Sequence, residues 1–134
     1  VGRLDKDTTG ALLLTNNGKL THQLISPKKR VNKVYLATTD LPIKGELIAH
    51  FARGFKIDDD FTTLPATLEI VDAKVGRVTV IEGKFHQIKR MFQAFGLTVT
   101  RLHREQFASL RVDDLKIGDY RKLTNEEINL LIRD

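Results

Sequence analysis

The chain has 134 residues, a net charge of +5 and a sequence pI of about 9.6. This length is typical of one domain, and 41% of the residues are hydrophobic, which is enough for a core. The sequence contains no cysteine, which excludes disulfides, a thiolate metal site and a cysteine nucleophile. No apolar run approaches the ~20 residues of a membrane-spanning helix. The basic balance favours a polyanionic partner without identifying one.

The first half of the chain predicts two strands and two helices. The continuous apolar run at residues 11–14 is typical of a strand buried on both faces. Residues 19–26 predict a short helix that ends at Pro27. Residues 33–38 alternate as a strand does, and residues 42–53 have the apolar spacing of a second helix.

The second half predicts strands at 67–71 and 76–81, which we expect to be antiparallel neighbours. Helical spacing of apolar residues predicts a helix at 87–95, and a strand follows at 98–102. A capping box precedes the last apolar residues and predicts a helix near 125–133. We therefore expect one α+β domain over residues 1–134, with a mixed, largely antiparallel sheet and flanking helices.

A polar turn near the start of the chain is the first candidate site. Arg3, Asp5, Lys6 and Asp7 crowd into a few residues beside the apolar run. A carboxylate such as Asp5 is suited to act as a nucleophile or base if a cleft holds it ionised. Arg3 is suited to bind phosphate or to orient a carboxylate. From spacing alone, an ordinary charged turn is the favoured interpretation.

A second candidate site is the basic segment at residues 82–91, at the start of the third predicted helix. Helix N-termini present free N–H groups that suit phosphate. The polar groups of this segment, and two arginines on the next strand, are Lys84, His86, Gln87, Lys89, Arg90, Arg101 and Arg104. If the basic residues of the segment and the two arginines of the next strand lie close together in the fold, they form an RNA-binding face. The spacing favours this interpretation about as much as an ordinary solvated surface.

Other chemistries find little support. Tyr35 lies in a predicted strand, where packing is the usual role, although tyrosine also stacks on bases. The four histidines show no metal-ligand spacing, so no metal is expected. No glycine-rich phosphate loop is present. Residues 58–60 are three aspartates, for which a solvated acidic turn is the favoured interpretation.

Three ordered motifs resemble those of one enzyme family. VGRLDKDTTGALLLTNNG at residues 1–18, KVY at 33–35 and EGKFHQIKRM at 82–91 are similar to the motifs of bacterial ribosomal RNA pseudouridine synthases of the RsuA-like family. The resemblance covers essentially the whole chain. It implies the catalytic fold of that family, an isomerase that needs no cofactor, and ribosomal RNA as the partner of a cytoplasmic monomer.

The resemblance also implies roles for individual residues. Asp5 corresponds to the essential aspartate, and Tyr35 to the tyrosine that packs on the target uracil. Lys89 corresponds to the basic residue that pairs with the aspartate, where many relatives carry arginine. We therefore expect all three to converge on one cleft, with Asp5 within about 4 Å of Lys89. The RNA-binding residues would be Arg3, Lys84, His86, Gln87, Arg90, Arg101 and Arg104.

The form of the third motif favours small-subunit 16S RNA as the substrate. Large-subunit RNA is the alternative, and a non-catalytic RNA-binding module is the rival from another class. Members of the family usually carry an S4-like RNA-binding domain and a strand region ahead of the first motif. We therefore expect the chain to be a fragment that lacks both, with its sheet incomplete at one edge.

Overall fold

The structure, a computed structural model, describes residues 1, 3–26, 30–84 and 86–133. Residue 133 is described by its backbone alone. The predicted helix end at Pro27 lies outside the described residues. Two positions of the resembling motifs, Gly2 and Phe85, also lie outside them. Within the described ranges, no helix is long and apolar enough to cross a membrane.

Eight strands and four helices make up the described chain. In chain order they are β1 (Thr9–Gly10), α1 (Gly18–Ile25), β2 (Lys33–Thr39), α2 (Glu46–Arg53), β3 (Lys56–Asp58), β4 (Phe61–Thr62), β5 (Thr67–Asp72), β6 (Val75–Val80), α3 (Gln87–Gln93), β7 (Val99–Phe107), β8 (Leu110–Arg111) and α4 (Asn125–Arg133). The main sheet has the order β1-β7-β2-β6-β5, with β8 against β7, and β3 and β4 form a separate hairpin. Among the described strands of this sheet, only the β1–β7 pair is parallel, which confirms the predicted α+β class and largely antiparallel sheet.

Local sequence explains where two of the helices begin. Asn17 caps α1, because its side chain accepts a hydrogen bond of 3.1 Å from the backbone N–H of Leu20. The capping box predicted for α4 is confirmed by two reciprocal bonds. Thr124 Oγ1 accepts from the N–H of Glu127 at 3.1 Å, and the Glu127 carboxylate accepts from the N–H of Thr124 at 2.8 Å.

Helices α2 and α3 cover one face of the main sheet. Phe51 of α2 and Phe92 of α3 are buried with ring centroids 5.2 Å apart, and both pack in one core with Val78 of the sheet. The opposite face is polar: Arg77 pairs there with Glu69 and Glu105 at 3.3 and 3.0 Å. Because successive side chains of a strand point to opposite faces, each strand residue belongs either to the helix-covered face or to this polar face.

The predicted strand at residues 11–14 is wrong in two respects. The parallel strand covers only Thr9–Gly10, and the run that follows is buried on one face rather than two. Ala11 and Leu13 are buried, whereas Leu12 and Leu14 are 48% and 76% exposed. All residues of this run are therefore apolar, but only alternate ones are buried.

Two other elements differ from expectation. Helix α2 begins at Glu46, four residues later than predicted, and the N–H of Ile43 instead bonds the carbonyl of Ala73 at 2.8 Å in a loop. The acidic turn at residues 58–60 is real, but it forms the tip of the β3–β4 hairpin, which the sequence did not predict.

Candidate active site

The segment that carries Asp5 is fixed to the sheet by β1, which pairs with β7 at one end of the strand order. Gly10 lies opposite Arg104 of β7, and the N–H of Ala11 bonds the Arg104 carbonyl at 2.8 Å. Thr9 Oγ1 lies 2.8 Å from Nδ1 of His103. Gly10 has a φ of +115°, and a Cβ there would lie 2.1 Å from the Arg104 carbonyl oxygen. Only glycine fits this close approach.

A tight turn separates the two carboxylates of this segment. The N–H of Thr8 bonds the carbonyl of Asp5 at 2.9 Å and closes the turn. Asp5 lines a cleft of about 420 Å³, here called the Asp5 cleft, together with Tyr35. Asp7 is largely exposed and lies outside the lining of that cleft. Of the three residues expected to converge on one cleft, Asp5 and Tyr35 therefore share a lining and Lys89 does not.

The predicted ion pair between Asp5 and Lys89 is not formed between these two described residues. Lys89 Nζ instead lies 2.7 Å from Asp7 Oδ1, and its hydrogen bond is the main cause that lowers the pKa of Asp7 below its usual value. Asp5 Oδ1 lies 3.7 Å from Nε2 of His86. Lys89 is not part of the cleft lining, so the turn presents one carboxylate to the cleft and the other to Lys89.

His86 reaches Asp5 from an uncommon backbone conformation. It precedes α3 with φ +48° and ψ +38°, in the left-handed region that non-glycine residues seldom adopt. Such conformations persist where surrounding structure holds them, often at functional sites. The ion pair with Asp5 forms when the imidazole is protonated.

Gln87 is engaged inside the protein, which differs from its predicted role in RNA binding. Its side chain is 95% buried, with its Oε1 accepting from the N–H of Lys84 at 3.1 Å. Its Nε2 donates to Glu82 at 2.9 Å, and Glu82 also accepts from the N–H of Leu64 at 2.7 Å. These bonds shape the loop between β6 and α3, which forms one wall of the Asp5 cleft.

The β3–β4 hairpin packs against this same loop and helix. Arg90 of α3 forms an ion pair with Asp58 of the hairpin, and the Lys84 ammonium lies 5.7 Å from the ring centroid of Phe61. Lys84 and Arg3 both line the Asp5 cleft. Both residues therefore contribute positive charge to the cleft lining.

The two predicted arginines of β7 do not share a face. Leu102 and Arg104 point to the helix-covered side, so Arg101, an odd number of residues from Arg104, points to the polar face. Arg101 is exposed there, whereas Arg104 is only 2% exposed. The single basic surface expected from these residues is therefore not formed, because strand alternation separates them.

A second cleft of about 410 Å³ lies beside the first and is here called the Arg104 cleft. The two share Tyr35, Arg3, Glu82, Gly83 and Lys84 in their linings, so Tyr35 lies between them. The Arg104 cleft is also lined by three further cations, Arg30, Lys33 and Arg104. Sequence reasoning missed Lys33 and Arg30. The available signal was that Lys33 and Tyr35 are two apart on one strand and so share a face.

Comparison with known proteins identifies the family to which the chain is similar. Residues 1–94, which include Asp5, Tyr35 and the α3 motif, match the family model described as RNA pseudouridylate synthase. The chain is 43% identical over 129 residues to the ribosomal small subunit pseudouridine synthase A of Salmonella typhimurium and to that of Escherichia coli strain K12. The alignment spans 95% of this chain and 56% of each relative.

Two further comparisons extend this result. The corresponding synthase of Vibrio parahaemolyticus is 44% identical over 132 residues, which is 96% of this chain and 57% of that protein. A crystal structure of a pseudouridylate synthase superposes with a TM-score of 0.93 at 42% identity, covering 97% of this chain and 57% of that one. The chain thus spans a little over half the length of these relatives. It belongs to the RNA pseudouridylate synthase family.

Proposed function

We propose that the whole protein converts a specific uridine of small-subunit ribosomal RNA into pseudouridine, with Asp5 as the reacting carboxylate. The observation that carries this proposal is the position of Asp5, which shares a cleft with Tyr35 inside the region matched by the family model. The relatives that share 43–44% identity are named as small-subunit synthases, which supports the choice of substrate.

The reaction requires few protein groups, namely one carboxylate and a cleft that holds the uridine. The bond between uracil N1 and ribose C1′ breaks, the base turns over, and C5 bonds to C1′ while the proton on C5 leaves and N1 gains one. Electrons balance without an oxidant or reductant, so the isomerisation needs no cofactor. The Asp5 carboxylate would act as a nucleophile toward C1′ or C6, or as the base that takes the C5 proton.

Tyr35 would hold the base during this turn. An enzyme that reacts at a base must take that base out of its stack, and aromatic side chains replace the lost stacking. Tyr35 lies on the wall shared by the two clefts and is half-buried, so that one part of the ring is available. This arrangement supports its proposed place against the target uracil.

Lys89 would act through the turn rather than on Asp5 itself. Its bond to Asp7 ties α3 to the segment that holds Asp5, two residues away. We therefore propose that Lys89 positions the Asp5 turn, and that Arg3 and Lys84 contact RNA phosphates at the cleft. The proposed enzyme acts as a monomer in the cytoplasm.

The direct test is to incubate the full-length protein with unmodified small- and large-subunit ribosomal RNA and map pseudouridine by a specific chemical label. The proposal predicts one modified position, in the small-subunit RNA. Modification of large-subunit RNA alone would replace the substrate. Tight binding without modification of either RNA would favour the non-catalytic module.

A further inference from the structure

Arg104 is a buried cation that forms no ion pair with a carboxylate of the described residues. Its Nε donates to the Ala11 carbonyl at 2.8 Å, and its guanidinium lies 5.0 Å from the ring centroid of Phe107. Its Nη2 is buried and has no hydrogen-bond partner among the described residues. None of the ion pairs among the described residues includes it. Burying a charged group is costly unless it is paired and hydrogen-bonded.

Lys33 adds a second cation on the same face of the sheet. Tyr35 pairs directly with Arg104, and Lys33 pairs with the neighbouring Phe107, so all four lie on one face. The Lys33 ammonium lies against Gly83, where a Cβ would stand 3.6 Å from it. Burial, and next the charge of Arg104, lower the pKa of Lys33 below its usual value. The two residues therefore create a locally positive pocket.

The lining of the Arg104 cleft identifies the kind of ligand. Arg3, Arg30 and Lys84 add three more cations to Lys33 and Arg104, against the single carboxylate of Glu82. That carboxylate already accepts two hydrogen bonds from within the protein. An anion with several acceptor oxygens would satisfy the unpaired donors, and phosphate groups match arginine donors well.

The position of the cleft identifies the source of the phosphate. We propose that Arg104 and Lys33 bind a phosphodiester of the RNA backbone next to the target uridine. This inference rests on the proposed function, because a uracil held on Tyr35 carries its own ribose and phosphates past that ring. The cleft on the other side of Tyr35 is where those phosphates would lie. The subsite would fix the register of the strand, so that the correct uridine reaches Asp5.

A simpler alternative is that Arg104 only supports the Asp5 segment through the Ala11 carbonyl. This alternative requires only one hydrogen-bond donor at position 104, which a lysine there would also supply. It predicts no link between this residue and any particular RNA phosphate. A cycle that changes the protein and the phosphate separately distinguishes the two accounts.

The test uses full-length protein and a short ribosomal RNA in which single phosphodiesters near the modified uridine are replaced by uncharged methylphosphonates. One such replacement should weaken binding to the wild type roughly tenfold. The same replacement should weaken binding to Lys33→Gln by less than about twofold, because its partner is already lost. Lys33 is half-buried on a strand, so this variant should fold. Arg101→Gln, on the opposite face, is the matched control and should respond as the wild type does.

Arg104→Lys should show the same loss of coupling at the same phosphate, since lysine keeps the charge but loses the fork of donors. Equal losses in wild type and Lys33→Gln at every phosphate would overturn the subsite. Displacement of RNA by inorganic phosphate from the wild type but not from Lys33→Gln, with no methylphosphonate coupling, would assign the cleft to free phosphate and also overturn it.

Pseudouridine yield on the unmodified RNA separates this inference from the proposed function. A wild type that modifies the RNA but shows no coupling retains its function and lacks the subsite. A wild type that couples to one phosphate but forms no pseudouridine retains the subsite and lacks the function.

Discussion

The two clefts on either side of Tyr35 hold their charges in different ways. In the Asp5 cleft the carboxylate is partly exposed and faces His86 at 3.7 Å. In the Arg104 cleft the guanidinium is buried. Its Nε donates to the Ala11 carbonyl, and the group lies against the Phe107 ring. A reacting group must be reachable and able to change its partner during the reaction. A group that binds a fixed anion is better prepared when the protein holds it in place before binding, and Arg104 is buried and bonded to the Ala11 carbonyl.

The two clefts are nevertheless joined by one short parallel pairing. Gly10 lies opposite Arg104, so the segment that carries Asp5 and the strand that carries Arg104 share backbone bonds. The comparison therefore predicts that damage to this pairing affects both clefts, whereas changes elsewhere affect one or neither.

The largest effect on stability is expected for Gly10→Ala. The new Cβ would collide with the Arg104 backbone at 2.1 Å and sit at a φ of +115°. Overpacking and backbone strain together should cost roughly 3 kcal/mol or more. Urea unfolding of the full-length protein measures the loss, and both RNA binding and activity should fall with it.

Gly96→Ala is the matched control for this change. Gly96 also has a positive φ, +79°, but a Cβ there would meet nothing within 4 Å. It should lose only the conformational cost, about 1 kcal/mol. Equal losses in the two variants would show that the β1–β7 approach is not the special contact described here.

An intermediate effect is expected for Lys84, which lines both clefts. Lys84→Ala should weaken RNA binding roughly fivefold at 0.15 M salt and reduce the salt slope by about one. Arg101→Ala removes the same charge from the opposite face of the sheet and should change neither by as much. Filter binding across a salt series measures both quantities, and a larger effect of Arg101 would place RNA on the polar face.

The smallest effect is expected far from both clefts, at the start of α4. Hydrogen bonds from Arg121, and then from the Thr124 backbone, lower the pKa of Glu127 from 4.5 to about 2. Because the folded-state pKa is depressed, this carboxylate stabilises the protein above about pH 4.5, and the contribution is lost as pH falls toward 2. Glu127→Gln should flatten the decline of unfolding free energy over that window.

Glu126→Gln is the matched control at the next position of the same helix turn. Glu126 makes no ion pair with any described residue, so its replacement removes a carboxylate from the same turn without breaking an ion pair. Matching profiles for the two variants would contradict the assigned role of Glu127.

Local patterns predicted the elements whose signals lie within a few residues. The capping box at Thr124 and Glu127 specified the start of α4, and helical apolar spacing placed α3 correctly. Helix α2 began later than predicted because a contact from a distant loop, Ala73 to Ile43, holds the preceding residues. Local propensity carries no information about such a partner.

The sequence predicted which residues line the candidate site better than it predicted which of them form ion pairs. Asp5 and Tyr35 met in one cleft as the resemblance implied. The partner of Lys89 was not predictable, because Asp5 and Asp7 lie on one turn and only its three-dimensional course directs them apart. The separation of Arg101 from Arg104 was predictable, since their odd spacing on a strand requires opposite faces.

The most direct test of the central claim compares Asp5→Asn with Asp7→Asn in the full-length protein under single-turnover conditions. Both changes remove one negative charge from the same turn. Asp5→Asn should lower the rate of pseudouridine formation by at least about a thousandfold while RNA binding persists, because only Asp5 lines the cleft. Asp7→Asn should retain activity within about tenfold, since it loses an exposed ion pair with Lys89. A full rate in Asp5→Asn with a collapsed rate in Asp7→Asn would contradict the account and move the chemistry to the other carboxylate.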